Sequence, residues 1–408
     1  MNAFLWVSSS LIMLMLLVLL MLRAFEELLG IRLLDILRGR VDMKRLCPTT
    51  WSKPVVFAVS LAVLWIGAFL GYKLAGASDG FLHHFWSRFT EAGDAIHYTY
   101  IASNGYATSG DEINKIVFFP LYPLLQGILG WLIGFHMELA GIIVSQVCYG
   151  LSAVVLLELA KLDTKHPSTV LLAYWLYPFG FFSLGVFSEG LFLLLTILGL
   201  YLLRTRSWIK AGLVGLLCAL TRTQGVLLLF PAVYCAWKDA RENGWNWRFL
   251  ALIGPLVGYG IYLLINKLVC GSFFAYVGYE RAAPWYQSAQ WLGDTVVQQW
   301  NMARDYAGLA RFIYLPQLFL YYILAALLYW GYRQRLNTEY ILFGTAYLGM
   351  SYTPSWLISG ARYSFGCVPI YLSLGRVDNR YARGAILLVE FIAFLTYSCY
   401  FMQGQAIM

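Results

Sequence analysis

The sequence from Glu91 to Pro123, EAGDAIHYTYIASNGYATSGDEINKIVFFPLYP, lies between two long apolar segments near residues 54–75 and 139–160. It brings carboxylates, a histidine and aromatic rings together beside regions long enough to cross a membrane. Polar and ionisable groups at such a boundary are costly to bury and useful for chemistry. The stretch therefore predicts a chemically active loop, residues 76–138 in full, at a membrane surface.

The composition of the chain is that of a membrane protein. Of its 408 residues, 60% are hydrophobic and only 12% are charged, and the mean hydropathy is +0.65. Soluble domains carry about 25% charged residues. The formal charge of +8 comes from Lys and Arg gathered in a few loops, so it requires no nucleic-acid partner. The sequence therefore predicts an all-α polytopic membrane protein.

Two further absences in the sequence bear on the compartment. The seven cysteines show no metal or redox spacing, so we expect no disulfide framework. The sequence contains no Asn-x-Ser/Thr acceptor for N-glycosylation, which favours a prokaryotic plasma membrane.

Hydropathy and length predict about 12 transmembrane helices. The first is followed by a basic stretch, 23–53, which the positive-inside rule places in the cytoplasm, on anionic headgroups, with the N-terminus outside. The predicted spans are 3–22, 54–75, 139–160, 167–181, 189–204, 207–221, 224–238, 248–269, 311–332, 336–352, 363–377 and 384–403.

Residues 117–135 are also apolar enough to span, but a span there would place the loop with Lys161 and Lys165 outside and set it against the later basic loops. Those loops, 204–210, 238–248, 333–335 and 376–383, are consistent with one another if all are cytoplasmic. We therefore predict a re-entrant or interfacial helix, entered at Pro120 and Pro123. With that choice, the outer face carries 76–138, 181–189, 221–225, 270–310 and 353–363.

Residues 92–104 have the spacing of a short helix at the outer interface, and Gly105 follows as a C-terminal glycine would. A carboxylate at this low-dielectric boundary suits a general base, although solvated loop charges would give the same pattern. The side chains predicted to share one face are Glu91, Asp94, His97, Tyr98 and Ile101.

Three ionisable side chains lie at the ends of apolar spans: Glu189, Arg222 and Arg362. Charges at such positions are functional candidates, and two guanidinium groups suit a phosphate-bearing leaving group. A structural ion pair between Arg222 and Glu189 is the alternative. Lys115 and Arg281 are weaker phosphate candidates.

A metal site is the weaker interpretation of the histidines. His83, His84 and His97 lie near acidic residues, but their spacing is not a strong ligand pattern. We therefore assign no metal ligand and no cofactor, and leave a requirement for a divalent cation open.

Several motifs occur in one order between about residues 90 and 370. They are Gly93-Asp94-Ala95, His97-Tyr98, Ile101-Ala102, Gly105-Tyr106, Glu112, Phe118-Phe119-Pro120-Leu121-Tyr122-Pro123, Phe187-Ser188-Glu189-Gly190-Leu191-Phe192, Arg222 to Gly225, and Arg362-Tyr363 with Pro369. Together they resemble the PIG-V mannosyltransferase family of the GT-C superfamily. Two positions depart from the family pattern: Gly93 stands where Trp is usual, and Gly190 where Ser is usual.

The resemblance implies a GT-C-like fold with outer-face juxtamembrane helices and a catalytic outer loop. It implies transfer of a hexose, mannose in the family, from a polyprenyl- or dolichyl-phosphate donor to a glycolipid or cell-envelope glycan, with inversion. Asp94 would be the general base, and Arg222 and Arg362 would hold the phosphate. The further candidate site residues are Glu91, His97, Tyr98, Glu112, Lys115, Glu189 and Tyr363.

Two other functions remain open. A transporter or flippase of a lipid-linked sugar would also bury charges and break helices, but it would bind near the membrane midplane between repeats. A non-catalytic assembly partner would keep the fold and be indifferent to loss of Asp94. The absence of an internal repeat and the gathering of charged motifs on one face favour the enzyme.

Overall fold

The computed structural model describes residues 1–29, 51–357, 359–405 and 407. Over these residues the protein is helical and contains no strand, only an isolated bridge between Ala289 and Pro354. Short 3-10 helices cover Asp111–Val117, Gly180–Leu184, Thr223–Leu228, Trp247–Ile253 and Ser364–Gly366, and a π-helical turn covers Ala310–Tyr314. The α-helices are α1 (Asn2–Leu29), α2 (Lys53–Ala75), α3 (Phe81–Thr90), α4 (Asp94–Asn104), α5 (Leu121–Leu132), α6 (Met137–Asp163), α7 (Pro167–Trp175), α8 (Glu189–Arg204), α9 (Trp208–Ala219), α10 (Leu229–Asn243), α11 (Gly254–Cys270), α12 (Ala275–Arg281), α13 (Leu292–Asp305), α14 (Ala307–Leu309), α15 (Leu315–Arg333), α16 (Thr338–Ser351), α17 (Gly360–Tyr363), α18 (Pro369–Leu374) and α19 (Arg380–Met402).

Six helical segments in the described part of the chain are long and apolar enough to cross a membrane. In the most apolar 18-residue stretch of each segment, only 22% to 61% of the residues are buried inside the protein, so much of the apolar surface faces outward. This architecture is consistent with a multi-pass helical membrane protein. The segments are Asn2–Glu27, Lys53–Ala75, Met137–Asp163, Trp247–Cys270, Ala307–Arg333 and Arg380–Met402.

The other six predicted spans form helices of 6 to 16 residues, shorter than the ~20 needed to cross a bilayer alone. Helix α8, for example, is buried along most of its length. Short and broken helices are tolerated in a membrane where other protein surrounds them. The total of twelve spans stays a prediction.

The region predicted to be re-entrant is bent. The 3-10 helix Asp111–Val117 and helix α5 meet at 111°, and α5 has only 12 residues. The amide of Leu121 donates to the carbonyl of Leu220 at 3.0 Å, which fixes the start of α5 against the end of α9. The bend thus brings the loop 76–138 into contact with the turn after α9.

The basic loops meet at one end of the bundle, which we call the basic end. Arg204 donates to both carboxylate oxygens of Asp163, with Nε 2.9 Å from Oδ2 and Nη2 3.0 Å from Oδ1. Asn337 Nδ2 donates to Asp163 Oδ1 at 3.2 Å, and Arg376 Nε to the Asp163 carbonyl at 2.8 Å. Loops that the charge pattern placed on one face are therefore neighbours in space.

The N-terminus lies at the opposite end, with the loop 270–310. Trp6 Nε1 donates to Asp294 Oδ1 at 2.9 Å, and Trp291 Nε1 to Ser10 Oγ at 2.8 Å. We call this the site end, because the candidate site described below lies there.

One predicted boundary was wrong. Helix α1 continues past residue 22 to Leu29, so Arg23 belongs to the helix, where its Nε donates to Glu27 Oε1 at 3.2 Å. An ion pair four residues apart supports a helix and extends it into the predicted basic loop. The rest of that loop, 30–50, lies outside the described residues.

Candidate active site

Four charged side chains from distant parts of the chain meet at the site end. Arg362, whose side chain is fully buried, donates from Nη2 to Asp94 Oδ2 and from Nε to Glu189 Oε1. Arg222 Nη2 donates to the same Glu189 oxygen at 2.8 Å. The two guanidinium groups balance the two carboxylates, so the cluster is neutral as a unit.

The local structure fixes Arg362 from several sides. It belongs to the one-turn helix α17, whose Ala361 and Tyr363 carbonyls accept hydrogen bonds from the hydroxyls of Tyr177 (2.9 Å) and Tyr347 (2.7 Å). The Gly360 amide donates to Gln317 Oε1 at 3.2 Å. Because neighbouring side chains satisfy these backbone groups, this irregular segment can be buried.

Aromatic rings surround the guanidinium groups. The Arg362 guanidinium carbon lies 4.9 Å from the ring centre of Phe182 and 5.2 Å from that of Phe187. The guanidinium of Arg222 lies 4.8 Å from the ring centre of Tyr363. Cation–π contacts of this kind partly offset the loss of hydration of a buried cation.

Asp94 is the first residue of α4, and 20% of its side-chain surface is exposed. Within the described residues its Oδ2 is held by Arg362, and Oδ1 accepts no hydrogen bond. The preceding residue, Gly93, has φ 59° and ψ −137°, a conformation that side chains with a Cβ rarely adopt. A tryptophan at position 93 would therefore be strained in this backbone.

The second departure, Gly190, also has a steric reason. A Cβ built on Gly190 would lie 2.2 Å from the carbonyl oxygen of Ser145 on α6. Helix α8 can approach α6 this closely only if position 190 has no side chain. A serine side chain at position 190 is therefore excluded by helix packing.

Helix α4 ends at Asn104, and the predicted C-terminal glycine, Gly105 (φ 74°), is confirmed. Tyr98 on its inward face donates to Ser188 Oγ at 2.9 Å. Burial raises the pKa of Tyr98 well above its ordinary value, so this phenol stays neutral and acts as a hydrogen-bond donor. It ties α4 to the residue before Glu189.

The predicted face of α4 is only partly correct. Glu91 lies outside the helix, exposed at the end of α3, because the chain turns at residues 91–93 before α4 begins. His97 is on α4 but packs between Phe118 and Trp285, with ring centres 5.0 and 5.3 Å away. Burial lowers the pKa of His97, and its Nδ1 has no hydrogen-bond partner among the residues that the structure describes. The structure therefore separates Glu91 from α4, whereas His97 lies three residues after Asp94 on the same helix and interacts with it electrostatically.

The weaker phosphate candidates lie apart from the cluster. Lys115 forms an ion pair with Glu112, and its ammonium lies 4.3 Å from the ring centre of Tyr100. Burial lowers the pKa of Lys115. Arg281 is exposed at the end of α12.

The histidines near the site end show no metal-binding arrangement. The two ring nitrogens of His84 are 2.9 Å from Asp79 Oδ2 and 2.7 Å from the Met402 carbonyl oxygen. Across the described ranges, no group of three or more His, Cys, Asp or Glu side chains is placed to hold a metal ion.

One cation near the cluster was missed from the sequence. Arg88 on α3 lies beside a cavity of about 150 Å³ that also reaches Gly93, Phe182 and Phe187. Its only sequence signal is its position six residues before Asp94 in a short aromatic helix, FLHHFWSRFT. That signal is too weak to distinguish it from an interfacial anchor.

No model of a known protein family matches the chain, and no curated protein matches it either.

Proposed function

We propose that this protein is a glycosyltransferase that moves a hexose from a polyprenyl- or dolichyl-phosphate donor, and mannose is the first candidate for that hexose. The acceptor is a glycolipid or cell-envelope glycan at the extracytoplasmic membrane face, and the architecture is a GT-C-like bundle of about 12 spans. The observation that carries the proposal is Asp94: a partly exposed carboxylate held at one oxygen by a buried arginine.

The reaction needs one base and one stabilised leaving group. The acceptor hydroxyl oxygen attacks the anomeric carbon while the bond from that carbon to the phosphate oxygen breaks, which inverts the configuration. The hydroxyl proton passes to Asp94 Oδ1, and the lipid phosphate leaves with the bonding electron pair. A positioned carboxylate general base contributes about 10²–10⁴-fold to such a step.

The arginines have different parts in this proposal. Arg362 is completely buried between two carboxylates, so it positions Asp94 and Glu189 rather than contacting a ligand. Arg222 keeps 11% of its side chain exposed and makes one ion pair, which leaves it able to contact a donor phosphate. The ion pair between Arg222 and Glu189 orients that guanidinium, so the structural and functional interpretations are compatible.

The location of the cluster favours an enzyme over a transporter. Asp94 and Glu189 begin helices, and Arg222 follows the end of α9. The charged side chains thus lie at the termini of short helices, on the same side of the bundle as the N-terminus. A transporter would place its site near the membrane midplane.

Sugar transfer by membranes containing the protein tests the proposal. Polyprenyl-phosphate mannose is supplied, and lipid extracts are analysed by mass spectrometry for an added hexose, with the glucose donor as a second arm. Asp94→Asn should lower transfer about a hundredfold or more. Asp111→Asn, which changes an exposed carboxylate in the same loop, should leave transfer unchanged.

The outcomes separate the candidate functions. A hexose added by the wild type but not by Asp94→Asn supports the enzyme and names the acceptor. Equal transfer by both proteins would remove Asp94 from the mechanism. If neither donor supports transfer by the wild type, the proposal fails and a lipid-linked sugar transporter becomes the leading function.

A further inference from the structure

The cavity beside Asp94 is lined, among the described residues, by aromatic rings and a single cation. It is about 150 Å³ in volume. Three phenylalanine rings line it, and one cation, Arg88, reaches it. Its principal lining residues are Arg88, Gly93, Phe182, Phe187, Phe401 and Gln405.

Arg88 has no carboxylate partner within the described part of the chain. Its Nε donates to the Phe401 carbonyl at 2.9 Å, and its guanidinium carbon lies 4.9 Å from the Phe401 ring centre. A guanidinium carries five N–H donors, so the remaining ones are available to an anion in the cavity. Arg222 and Arg362, in contrast, are both paired with carboxylates.

The charge balance of the cluster makes this difference important. Asp94 and Glu189 already neutralise Arg222 and Arg362, so Arg222 can still donate a hydrogen bond to the phosphate, but the cluster as a unit adds no net positive charge. A further cation must offset a lipid phosphate as it leaves with the bonding electrons. Arg88 is the cation whose cavity borders the residue directly before Asp94.

A backbone hydrogen bond and two shared side chains join the cavity to the charged cluster. The Val186 amide donates to the Phe89 carbonyl at 3.0 Å, which ties the end of α3 to the break before α8. Phe182 and Phe187 line the cavity and also contact the Arg362 guanidinium. The cavity and the Arg362 guanidinium thus share two neighbouring side chains, Phe182 and Phe187.

We propose that this cavity binds the phosphate group of the lipid donor, with Arg88 on the phosphate and the phenylalanine rings against the first carbons of its chain. A phosphate joined to an apolar chain matches one guanidinium among aromatic rings better than free phosphate does, because the rings offer no hydrogen bonds. This inference rests on the proposed transfer from a lipid-phosphate donor.

Binding of a short lipid phosphate to the purified full-length protein tests the inference. Farnesyl monophosphate, farnesol and inorganic phosphate are titrated separately in detergent and followed by native mass spectrometry. The variants are Arg88→Gln, which keeps a donor for the Phe401 carbonyl, and Arg88→Lys, which keeps the charge. The control is Arg311→Gln, which removes an exposed arginine whose guanidinium lies 4.7 Å from the ring centre of Phe312.

The wild type should bind farnesyl monophosphate more tightly than farnesol or inorganic phosphate. Arg88→Gln should weaken farnesyl monophosphate binding about tenfold or more and leave farnesol binding unchanged, because only the charged contact is lost. Arg88→Lys should lose less, and Arg311→Gln should bind as the wild type does. Thermal unfolding of each variant confirms that it is folded.

Equal binding by Arg88→Gln and the wild type would overturn the inference, as would an equal loss in Arg311→Gln. Inorganic phosphate binding as tightly as farnesyl monophosphate would overturn the assignment to a lipid. The binding assay needs no turnover, so the two proposals can fail separately. Arg88-dependent binding without sugar transfer would defeat the proposed reaction alone, and transfer with Arg88-independent binding would defeat this site alone.

Discussion

Arg362 donates a hydrogen bond to Asp94 across 268 positions of sequence, and with the same guanidinium it binds Glu189, 173 positions away. One buried side chain thereby joins α17, α4 and α8. The position of the proposed base depends on a residue near the far end of the chain. Removing Arg362 would leave two carboxylates at the boundary with one remaining cation.

Replacing Arg362 with glutamine should destabilise the protein strongly. Breaking a buried ion pair from one side costs about 3–5 kcal/mol, because the remaining charge is left uncompensated. Thermal unfolding in detergent measures the loss. Arg304→Gln is the control, since Arg304 is 62% exposed and its solvent-exposed pair with Asp305 should contribute little to stability. Equal unfolding temperatures for the two variants would show that the buried cluster is not structural.

Replacing Arg222 with alanine should raise the KM for the lipid-phosphate donor about tenfold or more, because a charge-assisted contact to the phosphate is lost. Initial rates at varied donor concentration give the value. Arg204→Ala removes a comparable paired arginine from the basic end and should leave the donor KM unchanged. The same KM in Arg222→Ala and the wild type would move the phosphate away from Arg222.

Replacing Gly190 with serine should destabilise the protein by about 1–3 kcal/mol, the usual effect of overpacking. The reason is the 2.2 Å approach of the new Cβ to the Ser145 carbonyl oxygen. Gly278→Ser is the matched control, because a Cβ at Gly278 meets nothing within 4 Å. If both variants unfold at the same temperature, α8 and α6 do not pack as closely as described.

Glu280, on α12 in the loop 270–310, should make stability depend on pH. Burial raises the pKa of Glu280 from 4.5 to about 7. Between these values the folded protein holds a proton that the unfolded chain has released, so the free energy of unfolding falls as the pH rises. Glu280→Gln removes this pH dependence. The unfolding temperature of the variant should therefore exceed that of the wild type by more near pH 7 than near pH 4.5.

The control for that experiment is Glu242→Gln, which changes an exposed carboxylate at the basic end. Its unfolding temperature should change with pH as that of the wild type does, from about pH 4.5 to about pH 7. A constant difference between Glu280→Gln and the wild type across this range would contradict the prediction.

The sequence predicted the helical class and the positions of the apolar segments well, because hydropathy and charge are local properties. It predicted Gly105 as the end of α4 for the same reason. Segments longer than about 18 residues were assigned most securely, since their length alone limits them to a few structures. The boundary of α1 was wrong because the i,i+4 pair of Arg23 and Glu27 extends the helix beyond its apolar part.

The candidate site was predictable in its types of residue but not in its contacts. The sequence identified Glu189, Arg222 and Arg362 because charges at the ends of apolar spans are rare, and Asp94 because it lies on the acidic face of a short interfacial helix. It could not show that Arg362 lies buried between two carboxylates, since that depends on how α17 packs. It placed Glu91 with Asp94 because a continuous helix was assumed, whereas the chain turns at Gly93.

By itself the sequence determined that this is a helical, membrane-type chain, which residues are charged at span ends, and which loops share a face. These properties follow from composition and from the cost of burying charge, and need no knowledge of packing. Only the tertiary structure decided which carboxylate each arginine binds, that one oxygen of Asp94 remains available, and that Arg88 faces the cavity beside it. Such pairings join residues far apart in sequence and are fixed by how short, buried helices end against one another.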